Sequence, residues 1–389
     1  MSIAGTITLL LAIPAAGIVV VHLITAVGVV LTSFKEKQLL REAARVEASR
    51  EKPPRSVSVI VPAKNEQYAL PRLLESLKNQ DTDEFEIVLV NDRSSDNTEK
   101  IMEEFKHARG HGVTVVTIEE APEGANPKQN ALAHGAAVAG GELLLLTDAD
   151  CVVPREWVSR SARYFADERL GLIFGPVIPN DLRTFLSQYQ SFDHVFRYFY
   201  TAGSSGIGNA TGGFGNNLAV LREALDAVGG FAGLRHSVTE DAELISEVRD
   251  QQRWLIRAHI SRDAAVHPQP QRSIGGVLKQ GLRWNTGAFF SPDWMTRLSY
   301  ATVMGFLFVG VVVSPLALLF TPVLLLPAGA FVSMVLMAIV AGAFTRRPAS
   351  YWFLLLPNVV FSMLFYSLVT LLTLLRARIS WKGSTIRTR

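Results

Sequence analysis

Two aspartates one residue apart, Asp148-Ala149-Asp150, closely follow the run Leu143-Leu144-Leu145-Leu146. Four consecutive leucines must be buried, so the acidic pair stands at the end of a buried strand. Hard carboxylate oxygens in that place can hold Mg²⁺ or Mn²⁺, and a divalent cation neutralises the phosphate oxygens of a substrate. An ordinary Asp-rich turn is the plainer alternative. Asp92 also ends an apolar run and can accept hydrogen bonds from a nucleobase or ribose. With Ser94-Ser95-Asp96 behind it, that region can equally serve helix capping, and Glu66 and Lys64 carry the same two readings. Lys128, in Asn126-Pro127-Lys128, opens a helix, where a cation and free backbone N–H groups favour an anion; otherwise it is a surface lysine. Thr239-Glu240-Asp241 offers a carboxylate able to act as general base on a hydroxyl, or an N-cap with an acidic first turn for a helix over Ala242–Val248. In Gln280-Gly281-Leu282-Arg283-Trp284, Arg283 can clamp phosphate, and Trp284 can stack on a sugar or anchor at a membrane interface. His194 is a candidate acceptor contact or a structural histidine.

The elements that must position these groups alternate strand and helix. Strands are expected at Val57–Val61, Glu86–Val90, Val113–Ile118 and Glu142–Leu146, with helices at Tyr68–Asn79, Asn97–Ala108 and Gln129–Ala139. Such βαβ alternation implies an α/β domain with a mostly parallel, doubly wound sheet, its ligands beyond the carboxyl ends of the strands. Lys64-Asn65-Glu66, Asn91-Asp92 and Asp148-Ala149-Asp150 fall at those ends. The aromatic stretch Phe185–Tyr200 can dock on a bilayer and shape an acceptor opening, or form a core helix. Gly203–Asn217, with six glycines, reads as a mobile loop near the acceptor or as a simple connection.

The chain of 389 residues is 49% hydrophobic and 19% charged, which excludes disorder and sets it apart from ordinary soluble enzymes. The net charge of +3 is too mild for a nucleic-acid partner, and the single cysteine, Cys151, cannot form an internal disulfide. No Asp, Glu, Lys or Arg precedes Lys35, and Leu298–Thr345 and Pro348–Leu375 are likewise uncharged. Residues 1–34 therefore read as a retained N-terminal transmembrane helix rather than a cleaved signal peptide, which would carry a basic start and a shorter apolar run, and residues 298–375 as about three more, the longer stretch breaking near Pro315, Pro322 and Pro327. Residues 35–55, with seven basic and four acidic residues from Ser33 to Arg55, read as an amphipathic linker on the membrane surface or as a plain solvated helix, ending at Pro53-Pro54. Residues 56–297 form the polar domain and 376–389 a basic tail. Lys35, Lys37, Arg41 and Arg45 place that flank in the cytoplasm. Arg346, Arg347 and the tail also favour the cytoplasm, yet three C-terminal crossings would put the tail outside.

Taken in order, Asp92, Asp148/Asp150, Thr239-Glu240-Asp241 and Gln280/Arg283/Trp284, flanked by apolar spans, resemble the membrane-embedded family 2 glycosyltransferases of GT-A fold. Asn126-Pro127-Lys128, Thr211-Gly212-Gly213 and Ile379-Ser380-Trp381-Lys382-Gly383 look like bacterial relatives of ceramide glucosyltransferases. The resemblance implies inverting, metal-dependent transfer of a hexose from a UDP-sugar, UDP-glucose first, to a lipid hydroxyl such as that of ceramide. It implies a catalytic domain on the cytoplasmic face of a bacterial inner membrane. Asp241 would be the base. Glu66, Asp92, Lys128, Asp148, Asp150, Gln280 and Arg283 would bind the donor, with Mg²⁺ or Mn²⁺ on Asp148 and Asp150. Trp284, His194 and Glu240 would meet the acceptor. The second aspartate, Asp150, departs from what those relatives often carry and keeps a processive polysaccharide synthase open. A non-catalytic membrane module that binds nucleotide sugars is the rival of another class.

Overall fold

The computed structural model describes residues 2–49, 55–120, 122 and 126–375, and the backbone of 379–381 and 384–386. Pro53-Pro54 and Lys382-Gly383 lie outside the described residues. Helix α1 (Ile3–Ser49) runs unbroken for 47 residues, about 70 Å at 1.5 Å per residue, far more than a bilayer's hydrocarbon core. Residues 33–49 do not turn aside as a separate surface helix. They prolong α1 against the polar domain, where Glu36 accepts hydrogen bonds from Tyr164 Oη (2.7 Å) and Ile260 N–H (3.0 Å). Glu47 pairs with Arg163 at 2.8 Å. These two carboxylates have protein partners, which hold the stretch against the polar domain.

The polar domain continues with β1 (Val57–Ala63), α2 (Leu70–Lys78), β2 (Glu86–Asp92), α3 (Thr98–Arg109), β3 (Val113–Ile118), α4 (Pro127–Val138) and β4 (Leu143–Leu146). Then come β5 (Cys151–Val152), α5 (Trp157–Tyr164), β6 (Leu170–Phe174), α6 (Phe185–Gly206), β7 (Leu218–Leu221) and α7 (Arg222–Asp226). The domain closes with α8 (Gly230–Gly233), α9 (Glu240–Asp250), β8 (Leu255–Ala258), β9 (His267–Pro268) and α10 (Ile274–Phe289). One sheet takes the order β3-β2-β1-β4-β7-β6-β8. Strands β1 to β4 are mutually parallel, β7 is antiparallel to both neighbours, and β6 and β8 are parallel. The leucine run of β4 pairs with β1 from Val57↔Leu143 to Ile60↔Leu146, and all four leucines are buried. Because β1 lies between β2 and β4, the winding direction changes there, and a crevice opens at the carboxyl edge.

Helix α6 is a core helix, not a bilayer-docking one. Tyr189, Phe192, Tyr198 and Phe199 are wholly inaccessible, and the polar residues among them, Gln190, Asp193 and His194, are buried too, so protein and not lipid covers this helix. Nor is Gly203–Asn217 a mobile loop. Gly203 and Gly206 close α6 where it crosses α1 at backbone contact: a Cβ on Gly206 would sit 1.8 Å from the Gly28 carbonyl oxygen. Thr32 Oγ1 donates to Ala202 O (2.8 Å) and Lys35 Nζ to Gly206 O (2.6 Å) across that crossing. Downstream, Arg249 and Thr296 bond the carbonyls of Ala210 and Thr211.

Helices α11 (Trp294–Val313), α12 (Leu325–Phe344), α13 (Ala349–Phe353) and α14 (Leu355–Leu374) follow, then the antiparallel pair β10 (Ile379–Trp381) and β11 (Ser384–Ile386). Two 3-10 turns, Ser314–Leu318 and Thr321–Leu324, carry Pro315 and Pro322 and separate α11 from α12. Among the described residues four helices are long and apolar enough to cross a membrane: α1, Trp294–Leu318, Thr321–Phe344 and α14. The α1–α6 crossing yields a test. Gly206→Leu must push two backbones apart, so it should cost about 1–3 kcal/mol or more and lower the thermal midpoint in detergent; Gly17→Leu, in open space on α1, should leave it unchanged.

Candidate active site

The carboxyl edge of the sheet opens into a cavity of about 620 Å³. Its first wall is the β1 and β2 ends. Glu66 and Lys64 follow β1, and Asp92 closes β2. The two loops are laced together: Asn65 Oδ1 accepts from Ser95 N–H (2.8 Å), while Glu66 N–H donates to Thr98 Oγ1 (2.7 Å) and Gln67 N–H to Asp96 Oδ2 (3.2 Å). The Ser94-Ser95-Asp96 run thus ties one loop to the other and, through Asp96 to Thr98 N–H (3.0 Å), also starts α3. Asp92 is nearly buried, its carboxylate forked by Arg93 at 2.7 and 3.2 Å.

The second wall joins β4 to α9. Asp148 and Asp150 leave the end of β4, and Glu240 and Asp241 open α9. Between them stands Lys128, whose Nζ is 2.7 Å from Asp148 and 3.2 Å from Glu240. Asn126 sets it there. Its side chain caps α4 by accepting from Lys128 N–H (3.0 Å) and Gln129 N–H (3.3 Å), and its Nδ2 donates to Ser237 O (2.9 Å). Pro127, at the first helical position, lacks an N–H that would need a partner. Asp241 accepts from Gly215 N–H and Ala242 N–H, both at 2.8 Å.

Burial alone would lower the Lys128 ammonium's pKa, but Asp148, Glu240 and Asp241 outweigh it and hold the pKa above the ordinary lysine value. The Asp241 carboxyl moves the other way. Burial, then the neighbouring Glu240 charge, pushes it up to about 6 against the pull of Lys128 and the two backbone N–H groups. A carboxylate in this range exchanges protons near neutral pH, as a general base requires.

The third wall faces the membrane helices. Gln280, Arg283 and Trp284 share one face of α10 through i, i+3 and i+4 spacing and line the cavity with His194 of α6. His194 Nδ1–H donates to Val177 O (3.1 Å), and the ring stacks on Phe214 (5.6 Å) with the Trp284 ring edge-on at 5.3 Å. Burial lowers its pKa to about 4, so it is neutral and its Nε2 is an acceptor. Behind Trp284 lies Arg197, 5.3 Å from that ring and paired with Asp193 at 2.9 Å.

The candidate donor, acceptor, metal and base residues expected from the sequence therefore all border one cavity, while Asp96 and Thr211-Gly212-Gly213 stand outside its lining. Sequence reasoning gave no role of their own to two more: Asn126, quoted only as part of Asn126-Pro127-Lys128, and Gly215, one of six glycines in the Gly203–Asn217 stretch. A Cβ on Gly215 would lie 2.9 Å from Asp241 Cβ. Among the described residues no group of three or more His, Cys, Asp or Glu forms a metal cluster. Asp148 and Asp150 supply two hard oxygen donors bordering an open cavity, which suits Mg²⁺ or Mn²⁺ completed by substrate phosphates.

A sequence model of glycosyl transferase family 21 matches residues 18–389. The chain is 28% identical over 202 residues to the probable glycosyltransferase YdaM of Bacillus subtilis, covering 49% of this chain and 46% of that one. It is 27% identical over 239 residues to the beta-monoglucosyldiacylglycerol synthase of Synechocystis, covering 60% and 48%. It thus spans about half the length of these curated relatives. The mannosyltransferase PcManGT from Pyrobaculum calidifontis, solved with GDP-Man and Mn²⁺, superposes with a TM-score of 0.51 at 18% identity, over 91% of this chain and 99% of that one. That likeness shows the fold.

Lys128 generates the test here. Lys128→Met leaves the buried Glu240 carboxylate without its cation and should cost about 3–5 kcal/mol, read as a lower thermal midpoint at pH 7. Protonation of Asp241, whose carboxyl is pushed up to about 6, relieves part of the repulsion, so the loss should shrink as the pH falls through that value.

Proposed function

Because the chain belongs to glycosyl transferase family 21, the ceramide glucosyltransferase family, we propose that this glycosyltransferase moves a single hexose from a UDP-sugar to the hydroxyl of a membrane lipid. The observation that carries the reading is the convergence of Asp92, Asp148, Asp150 and Asp241 on one cavity whose far wall, α10, leads directly into the membrane helices. A lipid hydroxyl at the membrane surface reaches that wall without leaving the bilayer. The beta-monoglucosyldiacylglycerol synthase among the relatives supports a lipid acceptor, and the chain's basic flank at Lys35–Arg45 supports a cytoplasmic catalytic domain at the inner membrane.

In the proposed mechanism the nucleoside lies against Asp92 and Glu66, and the diphosphate faces Asp148, Asp150 and Lys128. Asp148 and Asp150 would hold Mg²⁺ or Mn²⁺, which supplies positive charge against the diphosphate oxygens. Asp241 takes the proton from the lipid hydroxyl as its oxygen bonds to the anomeric carbon. The bond from that carbon to the UDP oxygen breaks on the opposite face, inverting the centre. Lys128 and Arg283 meet the negative charge that grows on the departing UDP. Trp284, His194 and Glu240 border the acceptor. Gly215 N–H and Ala242 N–H keep the Asp241 carboxylate aimed.

Mass spectrometry of lipids from cells expressing the wild type or Asp241→Asn, fed ceramide or diacylglycerol, tests this reading. A lipid heavier by one hexose should accumulate with the wild type and fall about 10²–10⁴-fold with the variant. A hexose polymer in place of glycolipid would point to a polysaccharide synthase, and identical lipids without polymer to a binding module. With a soluble acceptor analogue, kcat/KM should rise through about pH 6 and level off above it, because Asp241 accepts a proton only when ionised. A limb that persists unchanged in Asp241→Asn would remove Asp241 as the base.

A further inference from the structure

Helix α14 has the length and composition of a membrane-crossing helix and packs along α11 and α12, yet a second set of partners, on α6 and α10, ties it to the catalytic domain. Just before it, Arg347 donates to Ser191 Oγ of α6, and Tyr351 of α13 packs on Phe192 at 5.5 Å. Midway, Phe361 meets Tyr189 edge-on at 4.5 Å, and Tyr366 Oη donates to Asp193. Near its end, Asn285 Nδ2 of α10 donates to Thr373 Oγ1 (2.8 Å). One turn earlier on α10, Gly281 is so close that a Cβ would lie 2.9 Å from Phe365 Cζ. The pairs 281/365 and 285/373 run the same way, so α14 lies alongside α10. Beyond it, β10 also lies against α10. The α11–α12 turn is different: it belongs to the opposite end of the bundle, where Gly310 meets Leu326 and Pro327, and Gly329 meets Ala15 of α1.

The faces of α14 agree. Leu356, Val360, Leu364, Leu368, Leu371 and Leu374 form an exposed stripe at three- and four-residue spacing. Asn358, Ser362, Tyr366, Ser367, Thr370 and Thr373 are buried toward protein. The protein-facing side mixes these polar groups with Leu355, Val359, Met363, Phe365 and Val369, so the lipid-facing surface of α14 is the single exposed leucine-rich stripe. Charge points the same way. If α14 crossed, the five basic residues of Arg376–Arg389 would stand opposite Lys35–Arg45 and Arg346-Arg347; if it does not, every basic cluster shares one side.

We infer that α14 does not cross the bilayer. It lies in the leaflet beside the catalytic domain, its leucine stripe in the acyl chains of that leaflet, and returns the basic tail to the catalytic side. The proposal concerns the membrane surface of the chain and stands apart from the choice of sugar or lipid.

Single cysteines in the full chain test it, against a wild type whose Cys151 is buried. In intact cells a membrane-impermeant maleimide should label Leu319→Cys, in the α11–α12 turn, and spare both Ser384→Cys in the tail and Gln251→Cys on the catalytic domain. After permeabilisation the latter two should label together. Tail labelling in intact cells, alongside Leu319→Cys, overturns the proposal. If the tail cysteine labels in neither state, paired C-terminal fusions to a fluorescent protein and to alkaline phosphatase decide: a fluorescent, phosphatase-inactive tail supports it, the reverse overturns it.

Discussion

One cation makes the cavity possible. Asp148, Glu240 and Asp241 come from two elements about 90 residues apart in sequence, and packed into one low-dielectric space they would repel. Lys128 stands between Asp148 and Glu240 and replaces that repulsion with two charge-assisted contacts. Its place follows from the α4 N-terminus, where Asn126 caps the helix and reaches across to Ser237. The same crowding gives the carboxylates different characters. Glu240 and Asp148 are paired with the ammonium, while Asp241 takes backbone N–H groups instead and is pushed toward neutrality.

A second constraint ties this cavity to the membrane helices. Arg197 lies between the Trp284 ring, which faces the cavity, and the Tyr366 ring of α14, at 5.3 and 4.6 Å. Its partner Asp193 also accepts from Tyr366. Buried charges of this kind cost much to leave unpaired, so α6, α10 and α14 keep one relative arrangement. On the other side of α6, Gly203 and Gly206 let the backbone touch α1. The cavity wall and the membrane anchor are two faces of one helix.

That helix also shows where sequence reading runs out. Phe185–Tyr200 is aromatic and apolar, and apolar surface is covered by lipid and by protein with equal ease; only the presence of α1, α12 and α14 around it decides. Gly203–Asn217 is rich in glycine, which serves both flexibility and close backbone approach, and here the second use wins. The linker after Thr32 is helical by composition, but whether it bends onto a membrane or runs on depends on Glu36 finding Tyr164 and Ile260 across the fold. Within Gly203–Asn217 nothing local sets Gly215 apart from the other glycines, because what matters is a carboxylate 26 residues away.

The sequence by itself determined the alternating strands and helices from Val57 to Leu146, since a buried run such as Leu143–Leu146 has few other ways to be satisfied. It also determined the four apolar helices and the residue types gathered at the strand ends, because charge is too costly in hydrocarbon to be placed at random. The tertiary structure alone decided which of those groups face one another: that Lys128 is shared, that Asp241 lies half-buried beside the buried Glu240, and that α14 packs along α10. Those outcomes depend on distances between segments far apart in the chain, and periodicity and composition carry information only about neighbours.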